Sequence, residues 1–318
     1  MRPHRKLSSP PPRRPGGRGF TMIELMVVIV IIAILIGMLL PAIGGVQRNV
    51  RNAAVQAELN RIATAIVAFK TKYGSEPPST VRIPETGGAN GANWLPRDRA
   101  IIRQLWPQFN FAATRMINDD TDTTDVIGLE TGEALVFFLG GLPDEETPGS
   151  KRFTLVPFSR NPQDPFSRAP NANREKSAYD FESGRLVDLD SDGFPEFLDS
   201  YPGQTNPILY FSSYDGNGYR LADFPGNQAT VNKTIPVGPY RQGKLDNSPE
   251  FNKGTFQLIS PGLDHEYGPG GPYEAGSDTP LPPWDRVAPE PFPVDILAAD
   301  RRTERDNITN FGNGPLVP

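Results

Sequence analysis

Hydrophobic and polar positions divide this chain into three regimes. In the first, Leu25-Met26-Val27-Val28-Ile29-Val30-Ile31-Ile32-Ala33-Ile34-Leu35-Ile36-Gly37-Met38-Leu39-Leu40 is apolar throughout, and no ionisable side chain occurs between Glu24 and Arg48. A helix needs roughly 20 such residues to cross the hydrocarbon core of a bilayer, so the stretch predicts a membrane helix. The second regime keeps the helical period but turns amphipathic. Val55, Leu59, Ile62, Ile66 and Phe69 recur at spacings of four and three and form one stripe, with Arg51, Glu58, Arg61, Lys70 and Lys72 largely off it. Tyr73-Gly74 followed by Pro77-Pro78 supplies a stop. One helix over residues 20–73 is expected, roughly 80 Å long at 1.5 Å per residue.

The third regime begins at Ser75 and has no long period. Residues 97–111 predict a short helix with Ile101, Ile102 and Leu105 inward, and Asp119-Asp120-Thr121-Asp122 a solvated turn. Thr131-Gly132-Glu133-Ala134-Leu135-Val136-Phe137-Phe138-Leu139 reads as a short buried helix, with a strand as the alternative. Beyond it, Phe153-Thr154-Leu155-Val156-Pro157-Phe158, Arg185-Leu186-Val187, Ile208-Leu209-Tyr210-Phe211 and Thr255-Phe256-Gln257-Leu258-Ile259 are β-prone runs between Gly, Pro, Asn and Asp clusters. Residues 265–300 are heavy in Gly and Pro and read as an inserted surface loop. The prediction is an α+β fold: a long amino-terminal helix, transmembrane and then amphipathic, packed on a small antiparallel sheet with loop-rich insertions.

Composition sharpens this picture. Of 318 residues 37% are hydrophobic, and Gly 31 with Pro 35 is high, which predicts a loop-rich head. Formal net charge is -5, yet residues 1–19 carry Arg2, Arg5, Lys6, Arg13, Arg14 and Arg18 and no acid. Without those six the chain has 26 basic against 37 acidic residues, a net charge of -11. That surface argues against nucleic-acid binding, which rests on phosphate neutralisation by Lys and Arg. A basic segment ahead of an apolar helix keeps the amino terminus in the cytoplasm by the positive-inside rule. There is no cysteine, so disulfides are excluded and packing, or bound metal, must hold an exported head together.

Glu24 is the anomaly at the start of the apolar run, because a carboxylate there costs about 2.5 kcal/mol or more unless it is paired or kept at the interface. Gly19-Phe20-Thr21-Met22-Ile23-Glu24 resembles the processing and methylation motif of type IV prepilins and of the pseudopilins of type II secretion systems, the major pseudopilin type included. The resemblance implies cleavage between Gly19 and Phe20 by prepilin peptidase and N-methylation of Phe20. Glu24 becomes the fifth residue of the mature chain, and Pro41 stands where the family often has a helix-bending proline. It further implies three segments: residues 1–19 as a cleaved leader, 20–74 as the long helix, and 75–318 as a periplasmic or extracellular head. The mature subunit would sit in the inner membrane with its amino terminus cytoplasmic. From there it would self-assemble into a helical filament with the secretion or pilus platform and minor pseudopilins. Glu24 against the free amine of Phe20 on a neighbour would neutralise two charges only in register. A plain signal anchor carrying a glutamate is the competing reading of the same residues.

Asp188-Leu189-Asp190-Ser191-Asp192-Gly193 follows the first half of an EF-hand calcium loop: carboxylates at positions one, three and five, glycine at six. Asp199 falls at position twelve, shorter than the usual glutamate. Pro195 stiffens position eight, and no helix pair is evident. Bound calcium is one reading and a solvated acidic turn the other. Ser260-Pro261-Gly262-Leu263-Asp264 with Asp306-Asn307 resembles the calcium loop of major pseudopilins, which would make Asp264 and Asp306 ligands and Ser260 and Asn307 weaker candidates. His265 and the long insertion depart from that pattern.

Catalysis has little to stand on. His4 lies in the leader and His265 is the only other histidine, so no His-Glu-x-x-His zinc site exists. The expected function is a structural filament subunit, not an enzyme. The alternatives are an exported, membrane-anchored calcium-binding or adhesive module that uses the leader only for sorting, and an anchored hydrolase.

Overall fold

The computed structural model describes residues 20–118, 122–147, 150–220, 223, 237–244, 248–268, 270–277, 281 and 301–317, without the side chains of 39–43. The leader, Asp119-Asp120-Thr121 of the expected turn, and residues 269, 278–280 and 282–300 of the expected insertion lie outside the described residues. The start of that insertion is not a surface loop, since Tyr267 is buried and Gly271–Tyr273 form a buried strand. The chain divides into two compact units, Met1–Asn49 and Val50–Pro318.

Helix α1, Met22–Tyr73, is continuous over 52 residues. In the first unit its large apolar side chains from Met22 to Met38 are each about half exposed or more, Met22 at 88%. Among the described residues no helix is long and apolar enough to cross a membrane. The helix backbone continues through Leu39-Leu40-Pro41-Ala42-Ile43, and beyond it Val46 is again exposed, at 61%.

In the second unit the predicted stripe is the packing face: Val55, Leu59, Ile62, Ile66 and Phe69 are all buried in the main core. Glu58 departs from expectation. It is 2% exposed, because Arg185 donates from Nη1 to its Oε2 at 2.8 Å and from Nη2 to its Oε1. The helix ends where Gly74 takes φ +80° and its N–H bonds the Lys70 carbonyl at 2.8 Å.

Strand β1, Val81–Pro84, leads to α2, Pro96–Leu105. This helix is shorter than expected because Pro107 disfavours the helical region for Trp106; Ile102 and Leu105 point inward as predicted, whereas Ile101 is only half-buried and Asp98 is buried in its place. After β2, Val126–Leu129, comes α3, Thr131–Gly140, every residue of it buried. The helix reading prevails there. The remaining strands are β3 Leu142–Glu145, β4 Phe153–Val156, β5 Leu186–Val187, β6 Glu196–Phe197, β7 Leu209–Ser212, β8 Tyr240–Gln242, β9 Phe256–Ser260, β10 Gly271–Tyr273 and β11 Ile308–Thr309.

These strands form several small sheets, not one. β1 with β2, β3 with β4, β5 with β6, and β11-β9-β7 are antiparallel, whereas β8 and β10 are parallel. In the three-stranded sheet Leu209 pairs with Ile259 and Tyr210 with Leu258. Side chains alternate across a strand, so Tyr210 and Leu258 join the main core while Leu209, Phe211 and Ile259 join a second cluster with Tyr240 and Tyr267. The main core is dense in aromatics. Trp106 meets Phe158 and Phe166 at centroid distances of 5.4 and 5.2 Å, and Phe137 meets Phe166 at 5.4 Å. Edge contacts of this kind add about 0.5–1.5 kcal/mol each beyond burial, which suits a head without disulfides.

Candidate functional site

Two places concentrate the chemistry anticipated from the sequence. At the amino terminus, Phe20 is 79% exposed and Gly19 lies outside the described residues. Thr21 caps α1: its hydroxyl and its carbonyl accept the Glu24 N–H at 3.2 and 3.1 Å, which satisfies a backbone donor that the helix start leaves orphaned. Glu24 is exposed in the first turn, at the positive end of the helix dipole. Its neighbours Ile23 and Leu25 are 72% and 60% exposed. The result is one carboxylate in an uncovered apolar surface, a few residues from an exposed phenylalanine.

The second place is an acidic pocket between the start of α3 and the 188–196 loop. Asp188 closes the loop: its carboxylate accepts the Ser191 N–H at 2.6 Å and the Gly193 N–H at 3.1 Å. Ser191 and Gly193 take φ of +68° and +91°, the second being the conformation for which glycine is suited. Asp192, exposed, accepts the Phe194 N–H at 2.8 Å. One ligand oxygen each of Asp190, Asp192 and Glu133 lie within 4.8 Å of one another.

Glu133 reaches the pocket from the first turn of α3, where its Oε2 accepts the Glu130 N–H at 2.8 Å. Glu196 reaches it from β6, where its Oε2 accepts the Leu189 N–H at 3.3 Å. Gly132 makes room for that approach, since a Cβ there would stand 3.0 Å from Glu196 Cγ. Both glutamates are buried, at 1% and 0% exposure. Their second oxygens, Glu133 Oε1 and Glu196 Oε1, are buried without a hydrogen-bond partner, as is Asp190 Oδ1. Burial, and then the charges of Asp192, Glu196 and Asp190, hold Glu133 well above the usual carboxylate range. Burial, with the charges of Asp190 and Asp188 added, pushes Glu196 up to about 9 despite the Leu189 N–H. These groups face one another's charge.

Asp199 is engaged elsewhere. It is 1% exposed, and it accepts from Ser260 Oγ at 2.6 Å, Gln204 Nε2 at 2.9 Å and the Tyr201 N–H at 2.9 Å. Loop position twelve therefore ties the 199–204 turn to the end of β9, and Glu133 stands beside Asp190 and Asp192 instead. Asp264 and Asp306 are brought together, with Asp306 Oδ2 accepting the Leu263 and Asp264 N–H groups at 2.5 and 2.9 Å. Asp264 Oδ1 accepts the Glu266 N–H at 2.8 Å. Of the weaker candidates, Ser260 bonds Asp199, and Asn307 Nδ2 donates to Tyr240 Oη and the Tyr267 carbonyl at 2.9 and 2.6 Å. His265 Nδ1 lies 3.0 Å from Gln204 Oε1.

Glu133 and Glu196 are the pocket residues that sequence reasoning passed over. Glu196 had a signal, since it occupies position nine of the same EF-hand pattern. Glu133 had only its oddity, one acid in an otherwise apolar helix.

Residues 14–40 match the family described as Prokaryotic N-terminal methylation motif. No curated protein and no solved structure matches the chain. The motif implies processing by prepilin peptidase and an exported pilin-like protein anchored in the inner membrane.

Proposed function

We propose that the processed chain is a structural subunit of a type II secretion pseudopilus or a type IV pilus-like filament, assembled through its amino-terminal helix. The observation that carries this is Glu24, held by its motif at the head of an uncovered apolar helix within the matched span 14–40. A carboxylate in that setting is stabilised by a cation brought to it by another molecule. The free amine of a neighbour's Phe20 has the required charge and arises only after cleavage. In this reading the subunit waits in the membrane, single-pass with its head outside, and is drawn into the filament by the inner-membrane platform. The apolar helix becomes the filament core. Its work is mechanical, and no catalytic role is assigned to the head. An anchored calcium-binding or adhesive module is the second reading, favoured by the acidic pocket.

The test has two parts. Intact mass and amino-terminal sequence of the membrane-extracted protein, made alongside its own peptidase, should give a chain beginning at Phe20 and one methyl group heavier than unmodified. A chain still bearing residues 1–19 would overturn the processing step. Glu24→Ala should then leave a processed, folded subunit that is absent from sheared filaments, whereas undiminished incorporation would move the argument to the second reading.

A further inference from the structure

We propose that Glu133, Asp190, Asp192 and Glu196 form one calcium site that clamps the start of α3 to the 188–196 loop. The proposal is independent of how the amino-terminal helix is used. An acidic turn on a surface is commonplace, and the three loop aspartates alone would not carry it. What distinguishes this one is that two glutamates from other elements are buried beneath it, at 1% and 0% exposure. Each spends one oxygen on a backbone N–H and leaves the other buried and unpartnered. Asp190 adds a third such oxygen. A buried polar atom without a partner costs about 1–3 kcal/mol, and more when charged. Glu133 and Asp190, which each carry such an oxygen, bring a ligand atom within 4.8 Å of each other and of Asp192, the beginning of a donor set for a cation.

The chemistry of the donors selects the cation. All are carboxylate oxygens, with no histidine or cysteine among them, which suits a hard ion and disfavours zinc or copper. Ligand oxygens on opposite sides of calcium stand about 4.6–5.2 Å apart, twice its bond length, and magnesium draws them to about 4.2 Å. The oxygens of Glu133, Asp190 and Asp192 lie within 4.8 Å of one another, close enough for one ion of either kind to touch all three. Calcium is favoured because magnesium dehydrates reluctantly and is seldom held by protein oxygens alone. Asp188 serves by shape, holding the loop through the Ser191 and Gly193 N–H groups. Exposed Asp192 gives the ion a way in from solvent. Asp199, Asp264 and Asp306 take no part.

The consequence is a head whose stability depends on calcium. Binding to the folded state alone raises the unfolding midpoint, here by roughly 5–10 °C at a hundredfold excess over the dissociation constant.

The experiment is thermal unfolding of the full chain in detergent, with EDTA, with about 5 mM calcium and with about 5 mM magnesium, alongside terbium luminescence as a direct binding readout. The wild type should be stabilised by calcium and much less by magnesium. Glu133→Gln and Asp190→Asn should each weaken terbium binding about tenfold or more and remove the calcium increment. In EDTA, Glu133→Gln should unfold no earlier than wild type, since glutamine keeps an oxygen that accepts the Glu130 N–H. Asp264→Asn should leave the increment in place. The proposal fails if calcium does not stabilise the wild type, or if magnesium does so equally. It fails too if the increment survives Glu133→Gln and Asp190→Asn or disappears in Asp264→Asn. Loss of stability in Glu133→Gln by the same amount with and without calcium would make Glu133 a packing residue and also overturn it.

Discussion

Glu58 shows how a single side chain escapes a pattern. By helical spacing it follows Val55 by three and precedes Ile62 by four, so it flanks the stripe, and only its charge argues for solvent. The structure places it in the core edge because Arg185, 127 positions away, meets it bidentately and lies over the Phe197 ring at 4.4 Å. Removing one member of such a pair strands the other. Arg185→Met should cost about 2–3 kcal/mol, below the range for a fully buried pair because the Arg185 side chain is 21% exposed. Chemical denaturation of the full chain measures it. The double variant with Glu58→Met should recover most of the loss, and additive losses would mean the two residues act separately. Glu24 and Phe20 were legible from sequence because their meaning depends on neighbours in the chain. Glu133, Glu196 and Glu58 were not, because theirs depends on residues far away.

Helix α1 is the element whose reading from sequence carried furthest. Its stripe positions are buried as the 3.6-residue period requires, and Gly74 with the following prolines ends it where expected. Phe69, 1% exposed and edge-on to Phe138 at 6.1 Å, should lose about 3–5 kcal/mol on Phe69→Ala. Val67, 55% exposed two residues earlier, should change by no more than about 0.5 kcal/mol on Val67→Ala. Similar losses at both positions, read from urea midpoints, would mean that the helix does not dock through this face. For α3 the period could not decide, since a helix buried on every side shows none. Its reciprocal start at Glu130 and Glu133 is local capping chemistry, whereas its close end against β4 is a tertiary fact. The strands were legible as short runs, but their grouping into several small sheets, with one parallel pair, was not.

For the molecule as a whole, the charge balance and the missing cysteines fit an exported head held by an aromatic core, an idea the ring contacts among Trp106, Phe137, Phe158 and Phe166 make concrete. The uncovered apolar surface of residues 22–38 leads to a further outcome. The protein should fractionate with membranes, resist high salt and alkaline wash, and come free only with detergent. Recovery in the salt wash would mean that electrostatics alone hold it to the bilayer.

Sequence by itself determined the long helix, its two regimes, the processing motif and the approximate places of the strands. All of these are set by residues within a few turns of one another, where periodicity, capping and turn chemistry act directly. Tertiary structure alone decided the partner of Glu58, the removal of Asp199 from the acidic loop to the end of β9, and the meeting of Glu133 with Asp190 and Asp192. Those outcomes depend on where buried backbone and carboxylate groups find partners. A partner in space is fixed by packing, not by position along the chain.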